Sequence, residues 1–105
     1  MLRIDGKVII ESRKITEYLL IWKAESDKSA FLQRLGYSLD NWQELEADIR
    51  YIIAEGSAIY SRPAPFGGDL YQVKGTLRNF GVITVWLYLA EPTSWRFVTL
   101  FPQKS

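Results

Sequence analysis

The sequence predicts an α+β domain in which N-terminal helices pack on one face of a roughly four-stranded antiparallel β-meander. Before Gly56, apolar residues recur at spacings of three and four, which is typical of one helix face. After Gly56, short apolar runs alternate with turn residues, which is typical of antiparallel strands. The 105 residues have the length of one domain, with the helical part at about 13–56 and the sheet part at about 57–102.

Two residue types are absent, and each absence excludes a kind of site. Without cysteine there is no disulfide, thiolate nucleophile or cysteine zinc site. Without histidine, the commonest general base and metal ligand are missing. We therefore expect no metal and no cofactor. The formal net charge of +1 gives no overall attraction to nucleic acid, although a local basic patch stays possible.

No apolar run reaches the ~18 residues of a membrane-spanning helix, and the N-terminal segment lacks a signal-peptide pattern. We expect a cytoplasmic protein that does not enter a membrane.

Three helices are predicted in the first half of the chain. Residues 15–22 place apolar side chains on one helix face. A second helix begins after a cap at Ser26 or Asp27 and ends at Gly36. In the third helix, Ser38 is the N-cap and Gly56 is the stop.

The second half predicts strands joined by turns. A short strand is possible at 7–10. Residues 57–77 indicate a strand, a Pro/Gly loop and a second strand. A tight turn at 79–81 precedes the apolar strand 82–90, and 95–101 form the last strand.

The strand "VITVWLYLA" is apolar on both of its faces, whereas an antiparallel strand usually alternates. One set is aliphatic: Ile83, Val85, Leu87 and Leu89. The other set is Val82, Thr84, Trp86 and Tyr88. We expect the aliphatic set to meet the helices and the second set to face outward, continued by Trp95, Phe97, Thr99 and Phe101. Such an outward face is either covered by other parts of the chain or binds a partner.

Three stretches resemble a bacterial domain family of unassigned function: "KITEYLL", "DKSAFLQRLGY" with a following "NW", and "ITVWL…RFVTLFP". Members of that family occur as small free-standing proteins and as C-terminal domains of polymorphic toxins. The matching positions are Lys14, Tyr18, Asp27, Lys28, Phe31, Gly36, Tyr37, Trp42, Thr84, Trp86, Thr99 and Pro102. The chain departs from the family pattern at "IWKAESDK", which lacks a Gly-Gly pair, and at "LFP", which lacks a tyrosine.

The resemblance implies a fold similar to toxin nucleases of the barnase, colicin and RelE type. It implies a metal-independent ribonuclease that a small antitoxin or immunity protein neutralises. Cleavage without histidine needs cations for the phosphate and a lysine or tyrosine to move protons. The predicted catalytic residues are Lys28, Tyr71 and Arg96. The predicted RNA-binding residues are Lys14, Arg62, Lys74, Arg78, Thr84, Trp86 and Thr99.

Each candidate has a structural alternative, because exposed lysines and arginines are commonly solvated charges and a sheet tyrosine commonly packs. The competing functional hypothesis is a non-catalytic protein–protein interaction module that uses the aromatic sheet face. Homodimerisation through the sheet is also possible.

Overall fold

A five-stranded sheet with helices on one face forms the fold, in a computed structural model that describes residues 6–20 and 28–103. The strands are β1 (Lys7–Ile9), β2 (Ala58–Pro63), β3 (Asp69–Leu77), β4 (Phe80–Ala90) and β5 (Thr93–Pro102). Their order in the sheet is β1-β5-β4-β3-β2, in which β2 to β5 form an antiparallel meander and β1 pairs in parallel with β5. The α+β class is confirmed, with a fifth strand that the short segment β1 adds.

The helical segments are α1 (Ser12–Lys14) with a π-helical turn (Ile15–Leu19), α2 (Lys28–Arg34), and a 3₁₀ turn (Leu39–Asn41) leading into α3 (Trp42–Glu55). The predicted extension of the first helix to residue 22 and the predicted caps at Ser26 and Asp27 lie outside the described residues.

The predicted C-terminal ends of the second and third helices are confirmed, whereas Ser38 caps the 3₁₀ turn that leads into α3 and Asn41 is the N-cap of α3 itself. Gly36 follows α2 with a φ of +94°, a backbone conformation that glycine adopts without strain. At the start of the 3₁₀ turn, the Ser38 hydroxyl accepts from the Asp40 amide (3.3 Å) and the Asn41 side chain accepts from the Ser38 amide (2.7 Å). Gly56 caps the C-terminus of α3.

The prediction of which β4 face meets the helices is wrong. Val82, Thr84 and Trp86 are fully buried in the core shared with the helices, and the aliphatic set alternates with them on the other face. Since both sets of β4 side chains are apolar, their alternation along the strand does not indicate which set faces the core. The large indole of Trp86 buries more apolar surface than an aliphatic side chain does and packs edge-on against Phe97, with ring centroids 5.4 Å apart.

A hydrogen-bond relay makes the burial of Trp86 possible. Trp86 Nε1 donates to Thr84 Oγ1, and the Thr84 hydroxyl donates to the carbonyl oxygen of Val73 on β3, each at 2.7 Å. A buried indole N–H without an acceptor would carry a desolvation cost. Thr84 therefore supplies the polar partner that lets tryptophan enter the core.

A β-bulge divides the predicted aromatic face of β5. Trp86 pairs with Phe97, whereas Val85 pairs with Thr99, so that Val98 is the extra residue. Phe97 and Leu100 consequently both lie in the core. Thr99, in register with Val85, lies on the face away from the helices.

Helix α3 lies close to β3. A Cβ atom at Gly75 would lie 2.7 Å from the Cγ1 atom of Ile52, so the glycine permits this approach. We call the helix-covered side of the sheet the core face and the other side the open face. No helix in the described part of the chain is long and apolar enough to cross a membrane.

We expect Thr84→Val to lower the free energy of unfolding by about 1–3 kcal/mol, because it leaves the Trp86 N–H without its acceptor in the core. Urea denaturation followed by circular dichroism measures the change. Thr84→Ser, which keeps the hydroxyl, should cost less. In a Trp86→Phe background, Thr84→Val should also cost less, since no indole N–H remains to be satisfied. Equal costs in the two backgrounds would contradict the relay.

Candidate functional site

The open face of the sheet has an apolar centre. Register places aliphatic and aromatic side chains of three adjacent strands on this face, most of them half-buried. They are Leu70 on β3, Ile83, Val85 and Leu87 on β4, and Phe101 on β5. We call this set the apolar strip.

Cations flank the apolar strip. Arg62, Leu70, Leu87 and Arg96 form one cross-strand row, so the two arginines lie three strand spacings apart, about 14 Å. Lys74 pairs with Ile83 in another row. All three cationic side chains are exposed. The open face is therefore locally basic although the net charge of the chain is only +1.

Two polar contacts meet at β5. Arg96 forms a short ion pair with Glu11, which directly precedes α1. Lys28, the first residue of α2, donates to the Thr99 hydroxyl at 2.7 Å. Arg96 and Thr99 are three residues apart on one strand, about 10 Å. We call Glu11, Lys28, Arg96 and Thr99 the β5 cluster.

Lys14 lies beside the β5 cluster. It lines a shallow groove of about 200 Å³ together with Glu11, Arg13 and Glu17. Since Glu11 also contacts Arg96, this groove adjoins the cluster. The structure thus brings four of the predicted residues to one side of the molecule: Lys14, Lys28, Arg96 and Thr99.

The other predicted residues lie elsewhere. Thr84 and Trp86 are fully buried, so in this fold neither can contact RNA. Tyr71 is in register with Trp86 on the core face, and the sheet separates it from Arg96. The structure therefore does not bring Tyr71 and Arg96, both predicted to be catalytic, to the same face of the sheet.

Tyr71 belongs to a group of aromatic side chains at one end of the core face. Its ring lies edge-on to Tyr60 and Tyr88, with centroids 5.7 Å apart in both pairs, and 5.2 Å from Trp95. Partial burial, followed by the nearby Asp69 carboxylate, raises the pKa of Tyr71. A tyrosine whose pKa is raised is a weaker acid near neutral pH, which also disfavours the predicted proton-transfer role.

Arg78 holds the β3–β4 turn against the helices, and its predicted role in RNA binding stays a prediction. Its guanidinium donates to the carbonyl of Leu35 (2.8 Å) and to Glu44 (3.1 Å). It also lies 4.3 Å from the centre of the Tyr37 ring. Tyr37 in turn donates to Asp48 at 2.5 Å.

Glu11 is the residue of the β5 cluster that the sequence analysis missed. Its ion pair joins positions 85 residues apart, and it depends on β1 lying parallel to β5. No local pattern in the sequence indicates that pairing. The signal that the sequence did offer for a site residue is that Glu11 is a carboxylate in the short segment between β1 and α1.

Comparison with known families adds one finding. A family described as a domain of unknown function, DUF6883, matches residues 3–104. The chain belongs to the DUF6883 family. No curated protein and no solved structure matches the sequence significantly. For this DUF6883 domain, the similarity to toxin nucleases stays a prediction.

Tyr37 gives a test of the core beneath the helices. Burial and the hydrogen bond to Asp48 raise the pKa of Tyr37 well above its ordinary value. The folded domain therefore holds this proton at pH values where the unfolded chain releases it, and the free energy of unfolding falls as pH rises above about 10. We expect urea denaturation between pH 9 and 11 to give a steeper fall for the wild type than for Tyr37→Phe.

The matched control is Tyr51→Phe, which removes a phenol that is 66% exposed and should keep the wild-type slope. If the free energy of unfolding of Tyr37→Phe falls with pH as steeply as that of the wild type, the Tyr37 phenol does not cause the pH dependence of stability.

Proposed function

We propose that this DUF6883 domain binds single-stranded RNA on its open face and cleaves it at the β5 cluster, as a toxin-type ribonuclease that needs no metal. The observation that supports the proposal most is the β5 cluster itself. It combines a carboxylate, Glu11, with two cations, Arg96 and Lys28, on a basic face. These groups can supply the base, the phosphate ligand and the acid that RNA cleavage requires.

The proposed reaction is an internal transfer of the phosphodiester. The Glu11 carboxylate takes the proton of a ribose 2′-hydroxyl while the 2′-oxygen attacks the adjacent phosphorus. The bond from phosphorus to the 5′-oxygen of the next nucleotide breaks, and that oxygen takes a proton from the Lys28 ammonium. The products are a 2′,3′-cyclic phosphate and a 5′-hydroxyl, and water returns the proton from Glu11 to Lys28.

Arg96 has two functions in this proposal. Its ion pair orients the Glu11 carboxylate, and its remaining N–H groups can bind the non-bridging oxygens of the phosphate as negative charge develops there. Thr99 holds the Lys28 ammonium at β5 through the 2.7 Å hydrogen bond. In this proposal Arg62 on β2 and Lys74 on β3 bind phosphates further along the RNA, across the apolar strip from the β5 cluster.

A second candidate function follows from the apolar strip, which RNA phosphates do not use. A continuous set of half-buried apolar side chains on a sheet face is typical of a protein interface. The flanking cations favour an acidic partner, such as an antitoxin or immunity protein. They disfavour a homodimer through this face, because two copies would bring Arg62, Lys74 and Arg96 of each chain together.

The proposed reaction predicts the effect of Glu11→Gln. Removing the base should lower the cleavage rate of a fluorescent single-stranded RNA by about 100- to 10,000-fold. The assay is run in EDTA, and mass spectrometry of the products checks for the cyclic phosphate. Expression of the wild type, and not of Glu11→Gln, should arrest bacterial growth and degrade total RNA.

Binding separates catalysis from recognition. Glu11→Gln should still bind the RNA. In a plot of the logarithm of the binding constant against the logarithm of the salt concentration, Arg62→Gln and Lys74→Gln should each make the slope about 0.7 less steep, because each removes one phosphate contact. Arg34→Gln on α2 is the matched control, because Arg34 is an exposed helix arginine that forms no ion pair with another residue the structure describes. An intact RNA pool with salt-independent binding would overturn the ribonuclease proposal. Normal cleavage by purified Glu11→Gln would overturn the assignment of the base.

The second candidate predicts a cross-linking pattern. With a photoreactive phenylalanine at Val85 on the apolar strip, we expect irradiation of producing cells to attach one acidic protein. The same residue at Tyr51, on the exposed side of α3, is the control and should attach nothing comparable. A product joining two copies of the domain would indicate a homodimer instead. The absence of any product at Val85 would contradict the proposal that an acidic protein binds the apolar strip.

A further inference from the structure

A groove on the helix-bearing side of the molecule is separate from the open face. It has a volume of about 460 Å³ and is lined by Phe31, Arg34, Leu35, Phe80 and Pro102. This volume lies in the range of small-molecule sites, and four of the five lining residues are apolar.

One wall of the groove is a helix face. Phe31, Arg34 and Leu35 are spaced by three and four residues, so the C-terminal part of α2 presents them on the same side. The opposite wall consists of Phe80, at the end of the β3–β4 turn, and Pro102, at the end of β5. Phe80 is 57% exposed, so part of its ring is accessible from the groove.

The two walls are joined by a polar contact. The guanidinium of Arg78, in the turn that precedes Phe80, donates to the carbonyl of Leu35 at 2.8 Å and pairs with Glu44. The turn itself has two residues of positive φ, Arg78 (49°) and Asn79 (73°), which is the conformation of a tight hairpin turn. The groove is therefore held open by the fold rather than formed by a ligand.

The charge at the groove is a single cation. Arg34 is exposed at the rim, and none of the residues that the structure shows lining the groove is acidic. Within the described ranges 6–20 and 28–103, Arg34 forms no ion pair. An apolar groove with one arginine at its edge is complementary to a molecule that has an apolar body and one negative group.

We propose that this groove binds a small carboxylate with an aliphatic or aromatic body. The apolar body lies between Phe31, Leu35 and Phe80, and the carboxylate accepts hydrogen bonds from the guanidinium of Arg34. Phe80 and Pro102 lie on the core face whereas Arg96 and Thr99 lie on the open face, and the groove shares no lining residue with the β5 cluster. This inference therefore does not depend on the proposed ribonuclease activity.

Three probes of equal chain length test the proposal: octanoate, octan-1-ol and octylamine. Titrations followed by amide chemical shifts in ¹⁵N-labelled protein should show octanoate binding, with shifts centred on Phe31, Leu35 and Phe80. Octanol should bind about 1.5- to fivefold more weakly, which is the contribution expected of one solvent-accessible ion pair. Octylamine should bind more weakly still.

Variants separate the charge from the apolar contact. Arg34→Gln should abolish the preference for octanoate over octanol, and Arg34→Lys should keep most of it. Phe80→Ala should weaken both ligands alike. Arg13→Gln is the matched control, since Arg13 is an exposed helix arginine paired with Glu17, and it should leave binding unchanged.

Other outcomes overturn the proposal. Equal binding of octanoate and octylamine, an octanoate preference that survives Arg34→Gln, or shifts centred outside the groove would each exclude it. The absence of any shift at millimolar octanoate, in a protein whose spectrum is otherwise that of the folded domain, would also exclude it.

Discussion

The orientation of β4 depends on the hydrogen bond between Trp86 and Thr84, and the rest of the molecule depends on the orientation of β4. Burying an indole without an acceptor for its N–H carries a desolvation cost, and Thr84, two residues earlier, supplies that acceptor from the same face. Because the side chains of a strand alternate, burying this pair sends Ile83, Val85 and Leu87 to the open face. Arg96 on β5 pairs with Leu87, so its side chain also lies on the open face.

The bulge at Val98 makes the β5 cluster possible. With strict alternation from Phe97, Thr99 would lie in the core and Leu100 outside it. The extra residue reverses this order, so Leu100 packs inside while Arg96 and Thr99 both stay on the open face. Thr99 can then accept from Lys28, and Arg96 can meet Glu11. A local irregularity in one strand thus places the two polar contacts on the same side.

Features set by neighbouring residues could be predicted from the sequence, and features set by distant pairing could not. Ser38, Gly36 and Gly56 carry their own helix-end signals, and the meander follows from its turns. By contrast, nothing near Glu11 indicates Arg96, because the parallel pairing of β1 with β5 joins opposite ends of the chain. The face of β4 was ambiguous for another reason, since both of its side-chain sets are apolar and the sequence does not show the hydrogen-bond relay to Val73 that favours burying Trp86.

RNA and an acidic protein would use the open face through different side chains. Single-stranded RNA is usually held by stacking on aromatic rings, and the apolar strip offers one such ring, Phe101, among aliphatic residues. Recognition of RNA here would therefore rest on its phosphates and be tolerant of sequence. The aliphatic side chains gain nothing from phosphate, yet they favour burial by a protein. A protein bound on the apolar strip would cover the surface between Arg62 and Arg96, which lie in one cross-strand row on opposite sides of the strip. One surface would then serve both for substrate binding and for its inhibition, because the cations that attract RNA also attract an acidic partner.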